Sequence, residues 1–187
     1  MWLGLNILCV KKIDDLWFGV ILDEKKRVLS CGFSTGEERV RKKVLSAINR
    51  PLEIYESEDD DYAFTVLRSM SLIFQGKDPD VHPTIAFEHL PAFTRASLIM
   101  TSKIPRGYVS TYVTVAAAVG KPRAARAVGN VESRNPFAPL VPCHRVVNST
   151  LHLGGYGEGL SVKKAFLLRE GVLFDGEKVS KRCLWNF

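Results

Sequence analysis

The sequence predicts an α+β protein of 187 residues, in which a small α/β half precedes a mostly helical half. Three observations lead there. Two strand-like runs, W-F-G-V-I-L (17–22) and V-L-S-C-G-F (28–33), flank the turn D-E-K-K-R. After residue 90, apolar residues recur mainly at helical spacing. Between the halves, K-D-P-D-V-H-P-T (77–84) has the Pro/Asp chemistry of a linker, which predicts domains over 1–83 and 84–187.

In the first half, Val40, Val44, Leu45 and Ile48 predict a helix from Glu37 to Ile48, and L-E-I-Y (52–55) a third strand. The acidic run E-S-E-D-D-D (56–61) is a solvated loop that also suits the positive end of the helical segment Y-A-F-T-V-L-R-S-M-S-L-I-F, which Asp61 precedes and Gly76 stops. In the second half, Phe93, Ala96, Leu98, Ile99 and Met100 mark a helix over 91–103, ended by I-P-R-G. Ser110 or Thr111 caps the short helix T-Y-V-T-V-A-A-A-V, which Gly120 closes, and Pro122 suits the first turn of P-R-A-A-R-A-V-G-N-V. Two short helices around a G-K-P turn form a helix-turn-helix pattern, although helical bundles contain such pairs too. Small Ala124, Ala125, Ala127 and Gly129 leave Arg123 and Arg126 projecting from a slim helix, which fits a DNA groove or close packing on a core. The glycine-rich loop N-S-T-L-H-L-G-G-Y-G-E-G (148–159) reads as a hairpin turn, or as a wing or lid lined by backbone amides. A last helix covers 162–171, with Gly171 as its stop.

Apolar content of 46% and charged content of 25% place the chain among soluble globular proteins. The opening M-W-L-G-L-N-I-L-C-V lacks a basic lead-in and a small-residue cleavage site, so a cytoplasmic location is expected, or a nuclear one in a eukaryote. Four scattered cysteines without a C-x-x-C pair are too few for a disulfide scaffold. A zinc site from Cys9, Cys31 and His82 or His89 stays open beside ordinary buried thiols. The charge is uneven: residues 1–90 carry 12 basic and 15 acidic side chains, residues 91–187 carry 14 and 5. A basic second half suits a polyanionic partner, or is simply an uneven solvated surface.

The chemistry concentrates in L-V-P-C-H-R-V-V (140–147). Adjacent residues point apart in a strand and diverge by roughly 100° in a helix, so Cys143 and His144 do not form a direct thiol–imidazole dyad. A bridging water is the better geometry, with His144 needing a third group to orient it. Arg145 brings a positive charge that favours a thiolate, and Pro139 and Pro142 restrict the backbone. A lone Cys-His pair is more often a buried structural pair than a site.

Read with its neighbours, this stretch resembles a known family. P-C-H-R-V, preceded by A-A-R-A-V-G and R-N-P and followed by G-G-Y and E-G, looks like the O6-alkylguanine-DNA alkyltransferases, from about Ile104 to Gly171. The first half resembles them only in layout and in F-Q-G-K (74–77). The resemblance implies an RNase H-like first domain and a winged helix-turn-helix-like catalytic domain. It also implies single-use transfer of the alkyl group from O6-alkylguanine, and secondarily O4-alkylthymine, in flipped-out nucleotides of double-stranded DNA. Cys143 would accept the alkyl group, His144 would act through a water as base, and Glu170 would polarise His144. Asn135 would tie the helix-turn-helix to the active-site loop, and Tyr112 would rotate the phosphate and protonate the base. Arg126 would fill the space left in the duplex, with Arg123, Ala125, Ala127, Gly129 and Thr111 completing the DNA-facing surface. Tyr156, the Val146 carbonyl, Gly157 and Ala138 would form the base pocket. Ala138 stands where some relatives carry proline, and Gly157 where serine is common. No cofactor, no metal and monomeric action are implied, and the family's N-terminal zinc ligands are not matched by Cys9 and Cys31.

Overall fold

The structure, a computed structural model, describes residues 6–48 and 51–187, so the first five residues of the apolar opening lie outside the described residues. The chain forms two compact units. The first holds the residues up to Ile73, Lys77–Phe87 and Pro136–Leu140; the second holds Phe74–Gly76, Glu88–Asn135 and Val141–Phe187.

In the first unit, β1 (Asn6–Ile13), β2 (Leu16–Leu22) and β3 (Val28–Ser34) form an antiparallel meander. The sequence reading had no strand over 6–13. Leu8, Cys9 and Val10 are buried in succession, so the strand lacks the apolar–polar alternation that would reveal it. Asp14, at φ 53°, turns β1 into β2; aspartate is among the few residues that tolerate this conformation. Helix α1 (Glu37–Ser46) lays Val40 and Val44 on the sheet against Leu8, Val10, Ile21 and Leu29. The expected third strand is β4 (Ile54–Glu56), which adds parallel to β1 and gives the order β3-β2-β1-β4. Helix α2 (Asp61–Phe74) starts one residue after its cap: the Asp60 carboxylate accepts the Ala63 amide at 2.8 Å. Ala63, Val66, Leu67 and Met70 form its buried stripe.

The boundary expected at residue 83 differs from the observed division, and the edge of β3 explains part of the difference. Val28 bridges Ile85, and Cys31 bridges Phe137, with the Cys31 amide donating to Pro136 O at 2.7 Å. Two segments from further along the chain thus satisfy backbone groups that an edge strand leaves unpaired.

The second unit contains α3 (Ala92–Ser102), β5 (Ser110–Thr111), α4 (Tyr112–Ala118) and α5 (Ala125–Ser133). After them come β6 (Val146–Val147), α6 (Leu160–Arg169) and the hairpin β7 (Phe174–Asp175) with β8 (Lys178–Val179). Thr111 caps α4 by accepting the Thr114 amide at 3.0 Å. Gly120, at φ 73°, closes α4 as expected, with the Lys121 amide reaching back to Ala116 O. Pro122 and Arg123 lie in the turn before α5, not in its first turn, so Arg123 precedes that helix and does not project from it. No strand forms in the glycine-rich loop over 149–159.

Strand β6 pairs parallel with β5 and separates two cores. Val146 joins Ile104, Val115, Ala116 and Val128, whereas Val147 joins Val109, Leu167, Val172 and Val179. Adjacent strand residues face opposite sides, so one dipeptide anchors the turn before it from both. The F-Q-G-K stretch contributes a second anchor. Phe74 sets its ring edge-on to Phe166 at 4.9 Å, and the Arg106 guanidinium donates to Gly76 O at 2.6 Å. Gly76 has φ 76°, and a Cβ there would lie 2.3 Å from the Arg169 carbonyl oxygen. Gly76→Ala should therefore cost at least about 2 kcal/mol, from left-handed strain plus displacement of α6. Urea unfolding compared with wild type measures it, and an unchanged midpoint would reject the close approach.

Candidate active site

Cys143, His144 and Arg145 occupy one 3-10 turn immediately before β6. Pro142, at φ −83° and ψ 64°, adopts an inverse γ-turn, and the Cys143 amide donates across it to Val141 O at 2.9 Å. The same carbonyl accepts the Asn135 side-chain amide at 2.8 Å. Asn135 therefore ties the end of α5 to the cysteine turn. The tight turn sends neighbouring side chains apart, in keeping with the absence of a direct dyad.

His144 is fully buried and stacks on Phe166, ring centroids 4.3 Å apart. Its Nε2 lies 2.9 Å from Glu170 Oε1. Arg145 grips the same carboxylate, with Nε donating to Oε2 at 2.9 Å and a terminal nitrogen to Oε1 at 2.7 Å, and anchors itself on Ile104 O at 2.7 Å. Burial pushes the Glu170 carboxyl up, but the His144 and Arg145 bonds and charges outweigh it and bring it down to about 2. Glu170 is thus an ionised acceptor, which assigns the imidazole proton to Nε2. Burial is also the main cause that lowers the His144 pKa, helped by Arg145 and Lys163 against the pull of Glu170. A neutral imidazole follows, whose buried Nδ1 has no hydrogen-bond partner in the protein. The Arg145 guanidinium, read from the sequence as a positive charge near the thiol, is paired with Glu170.

A cavity of about 870 Å³ lies among α4, α5 and the glycine-rich loop, lined among others by Tyr112, Ala125, Arg126, Gly129, Tyr156 and Gly157. Tyr112 packs into the space left by two glycines, 4.0 Å from a Cβ built on Gly129 and 3.0 Å from one on Gly154. Arg126 is exposed at the cavity, and Ala127 is exposed elsewhere on α5. Ala138 belongs to the first unit, where its carbonyl accepts the Cys31 thiol at 3.6 Å. Among the described residues no group of three or more His, Cys, Asp or Glu is placed to hold a metal ion.

Two charged residues were not read from the sequence as part of this site. Lys163 is fully buried, and its Nζ donates to Val146 O at 2.7 Å and Leu153 O at 2.6 Å. It stands 5.9 Å over the Tyr112 ring and 6.0 Å over that of Tyr156. Burial lowers its pKa to about 8, against the charges of Cys143 and Glu132. The Val146 carbonyl, implied as a reader of the base edge, is thus engaged by the Lys163 ammonium. The second residue, Glu132, is 6% exposed on α5, and burial lifts its carboxyl to about 7. Helical spacing held the signal for Lys163, because it shares the i, i+3, i+4, i+7 face with buried Phe166, Leu167 and Glu170.

The family model described as the 6-O-methylguanine DNA methyltransferase DNA-binding domain matches residues 92–172. A methylated-DNA–protein-cysteine methyltransferase of Methanosarcina barkeri is 51% identical over 67 residues, 36% of this chain and only 42% of that relative. The relative of the same name from Thermococcus gammatolerans is 34% identical over 160 residues, covering 84% of this chain and 90% of its own length. In fold, the chain is similar to the O6-methylguanine-DNA methyltransferase of Pyrococcus kodakaraensis, with a TM-score of 0.66 at 24% identity over 89% of this chain and 99% of that one. It is also similar to Mycobacterium tuberculosis OGT in complex with DNA, with a TM-score of 0.68 at 21% identity over 88% and 92%. With the cysteine turn, the buried His–Glu pair and the helix pair beside the cavity in place, the relationship to the Thermococcus protein over 84% of this chain settles the matter: this chain belongs to the methylated-DNA–protein-cysteine methyltransferase family.

Proposed function

We propose that the protein repairs double-stranded DNA directly, moving the alkyl group of an O6-alkylguanine onto Cys143 in a single, irreversible event. The observation that carries this is the buried His144–Glu170 pair, 2.9 Å apart, which leaves a neutral imidazole nitrogen unpaired beside the cysteine in the same turn. A water between Cys143 and His144 Nδ1 passes the thiol proton to the imidazole, and Glu170 stabilises the cation that forms. The thiolate sulfur attacks the alkyl carbon, a C–S bond forms, and the C–O6 bond breaks in line. Guanine departs with a proton in place of the alkyl group; Tyr112 donates it and regains one from the imidazolium, so the thiol proton is accounted for. The product is a thioether, which water does not hydrolyse, and each copy therefore acts once.

The reacting carbon lies inside the base stack, so the nucleotide must leave it, at a cost of a few kcal/mol. Arg126, exposed at the cavity, fills the gap in the duplex, and the basic second half holds the phosphates. Tyr156 packs against the flipped base. All these groups come from one chain, so a monomer suffices.

Incubation with a duplex bearing one O6-methylguanine should add one methyl per chain by intact mass, located on Cys143 and abolished in Cys143→Ala. Unchanged mass with tight lesion binding would overturn the reading in favour of a non-catalytic damage binder. Arg126→Ala should slow repair of the duplex by about tenfold or more while sparing reaction with the free alkylated base; equal losses on both substrates would reject the role of Arg126.

The Glu170 pair also sets an acid limit. Its folded pKa of about 2 lies below the ordinary 4.5, so its ionised form contributes stability fully present above pH 4.5 and lost as pH falls toward 2. Glu170→Gln should be less stable than wild type at neutral pH, with the gap in urea midpoint closing through that window. A gap independent of pH would contradict the pairing.

A further inference from the structure

Glu132 is the single acid of α5 and sits one turn beyond Gly129, against which Tyr112 packs. Thr101 Oγ1, buried on α3, donates to its Oε1 at 2.7 Å. Its Oε2 is buried without a hydrogen-bond partner, an arrangement that costs free energy and that an apolar side chain of similar volume would avoid. The groups around it come from every neighbouring element. Helix α4 contributes Tyr112 and α6 contributes the Lys163 ammonium, both in electrostatic reach of Glu132 and of Cys143. Helix α3 presents neutral Thr101, while its Arg95 and Lys103 are exposed, as are Arg126 and Arg134 on and just after α5.

We propose that Glu132 is a positioning residue for alkyl transfer: its protonation state sets how firmly Tyr112 holds its phenolic proton and how much of the Lys163 charge faces Cys143. This rests on the reading above, in which Tyr112 protonates the departing guanine.

The sign follows from the surroundings. Burial raises the Glu132 carboxyl to about 7, against the Thr101 hydrogen bond and the Lys163 charge, so it changes charge in the neutral range. When protonated, it leaves the Lys163 charge undivided for the Cys143 thiolate and for the charge that develops on guanine. When ionised, it draws on Lys163 and opposes proton release from Tyr112, whose pKa burial and then Glu132 push up to about 12. Transfer is therefore faster with Glu132 neutral. His144 acts in the opposite sense, because acid protonates the base. The wild-type rate should rise out of acid and then fall through neutral pH, with the falling limb belonging to Glu132.

The test is the single-turnover rate of methyl transfer from a saturating O6-methylguanine duplex, followed by intact mass between about pH 6 and pH 7.5. Titration of one group near 7 predicts that wild type slows about fourfold across this range. Glu132→Gln, which keeps the Thr101 contact, should change by less than about twofold or speed up. Thr101→Val removes the bond that holds the carboxyl down, so its falling limb should move to higher pH; a buried threonine-to-valine change also serves if the glutamine variant folds poorly. Coincident profiles for wild type and Glu132→Gln, or no displacement in Thr101→Val, would overturn this inference alone. A wild-type chain that accepts no methyl at any pH would overturn the transferase reading and this inference with it.

Discussion

The cysteine turn depends on one carboxylate. Glu170 ends α6 and takes bonds from both His144 and Arg145, two consecutive residues of the turn. A buried carboxylate is costly unless its lone pairs are filled, and here a bidentate guanidinium and an imidazole fill them. That requirement fixes the His144 tautomer, holds the Arg145 charge close to the carboxylate, and locks α6 to the turn. Phe166, one turn earlier on the same helix, supplies the flat surface on which the imidazole lies. Helix α6 thus orients His144 both by charge and by stacking, and Phe74 supports it from behind Phe166.

The other side of the turn is held by backbone bonds. Val141 O accepts both the Cys143 amide and the Asn135 side chain, while β6 pins the following residues between two cores. Lys163 extends the same framework into the glycine-rich loop, where it takes the carbonyls of Leu153 and, at 3.5 Å, Gly155. A loop with that much glycine would otherwise lose much conformational entropy on ordering. The buried ammonium gathers its carbonyls at one point, close to the face of Tyr156.

The cysteine turn was legible because its signature is local. P-C-H-R-V, R-N-P and G-G-Y are short ordered motifs, and the glycine stops and Thr111 cap act within one turn of chain. Strand β1 was hidden because its middle is buried on both faces, which erases the alternation that identifies a half-exposed strand. The return of residues 136–140 to β3 has no side-chain pattern at all, since it is made by backbone bridges to Cys31. Lys163 and Glu132 escaped for another reason. A pattern reading sends charge to solvent by default, and the helical spacing that marks Lys163 gives way to that rule until the packed structure reveals both charges buried with partners. For Arg145 the sequence displays the charge but not the carboxylate that holds it.

A buried positive charge also stands within electrostatic reach of the thiol. Burial in general disfavours a thiolate, and Cys143 is only 5% exposed. Arg145 is held by Glu170, and the Lys163 charge is in electrostatic reach of Cys143. An ammonium confined by carbonyls keeps its position without neutralising itself, because carbonyl dipoles accept its hydrogen bonds while leaving its net charge intact. In the transfer proposed above, alkylation converts the ionisable Cys143 thiol into a neutral thioether that is also larger. The used protein retains the Lys163 ammonium without that opposing charge, and it must house an extra group in a turn closed by two bonds to Val141. The contacts that prepare the cysteine for one transfer are the same contacts that its product strains.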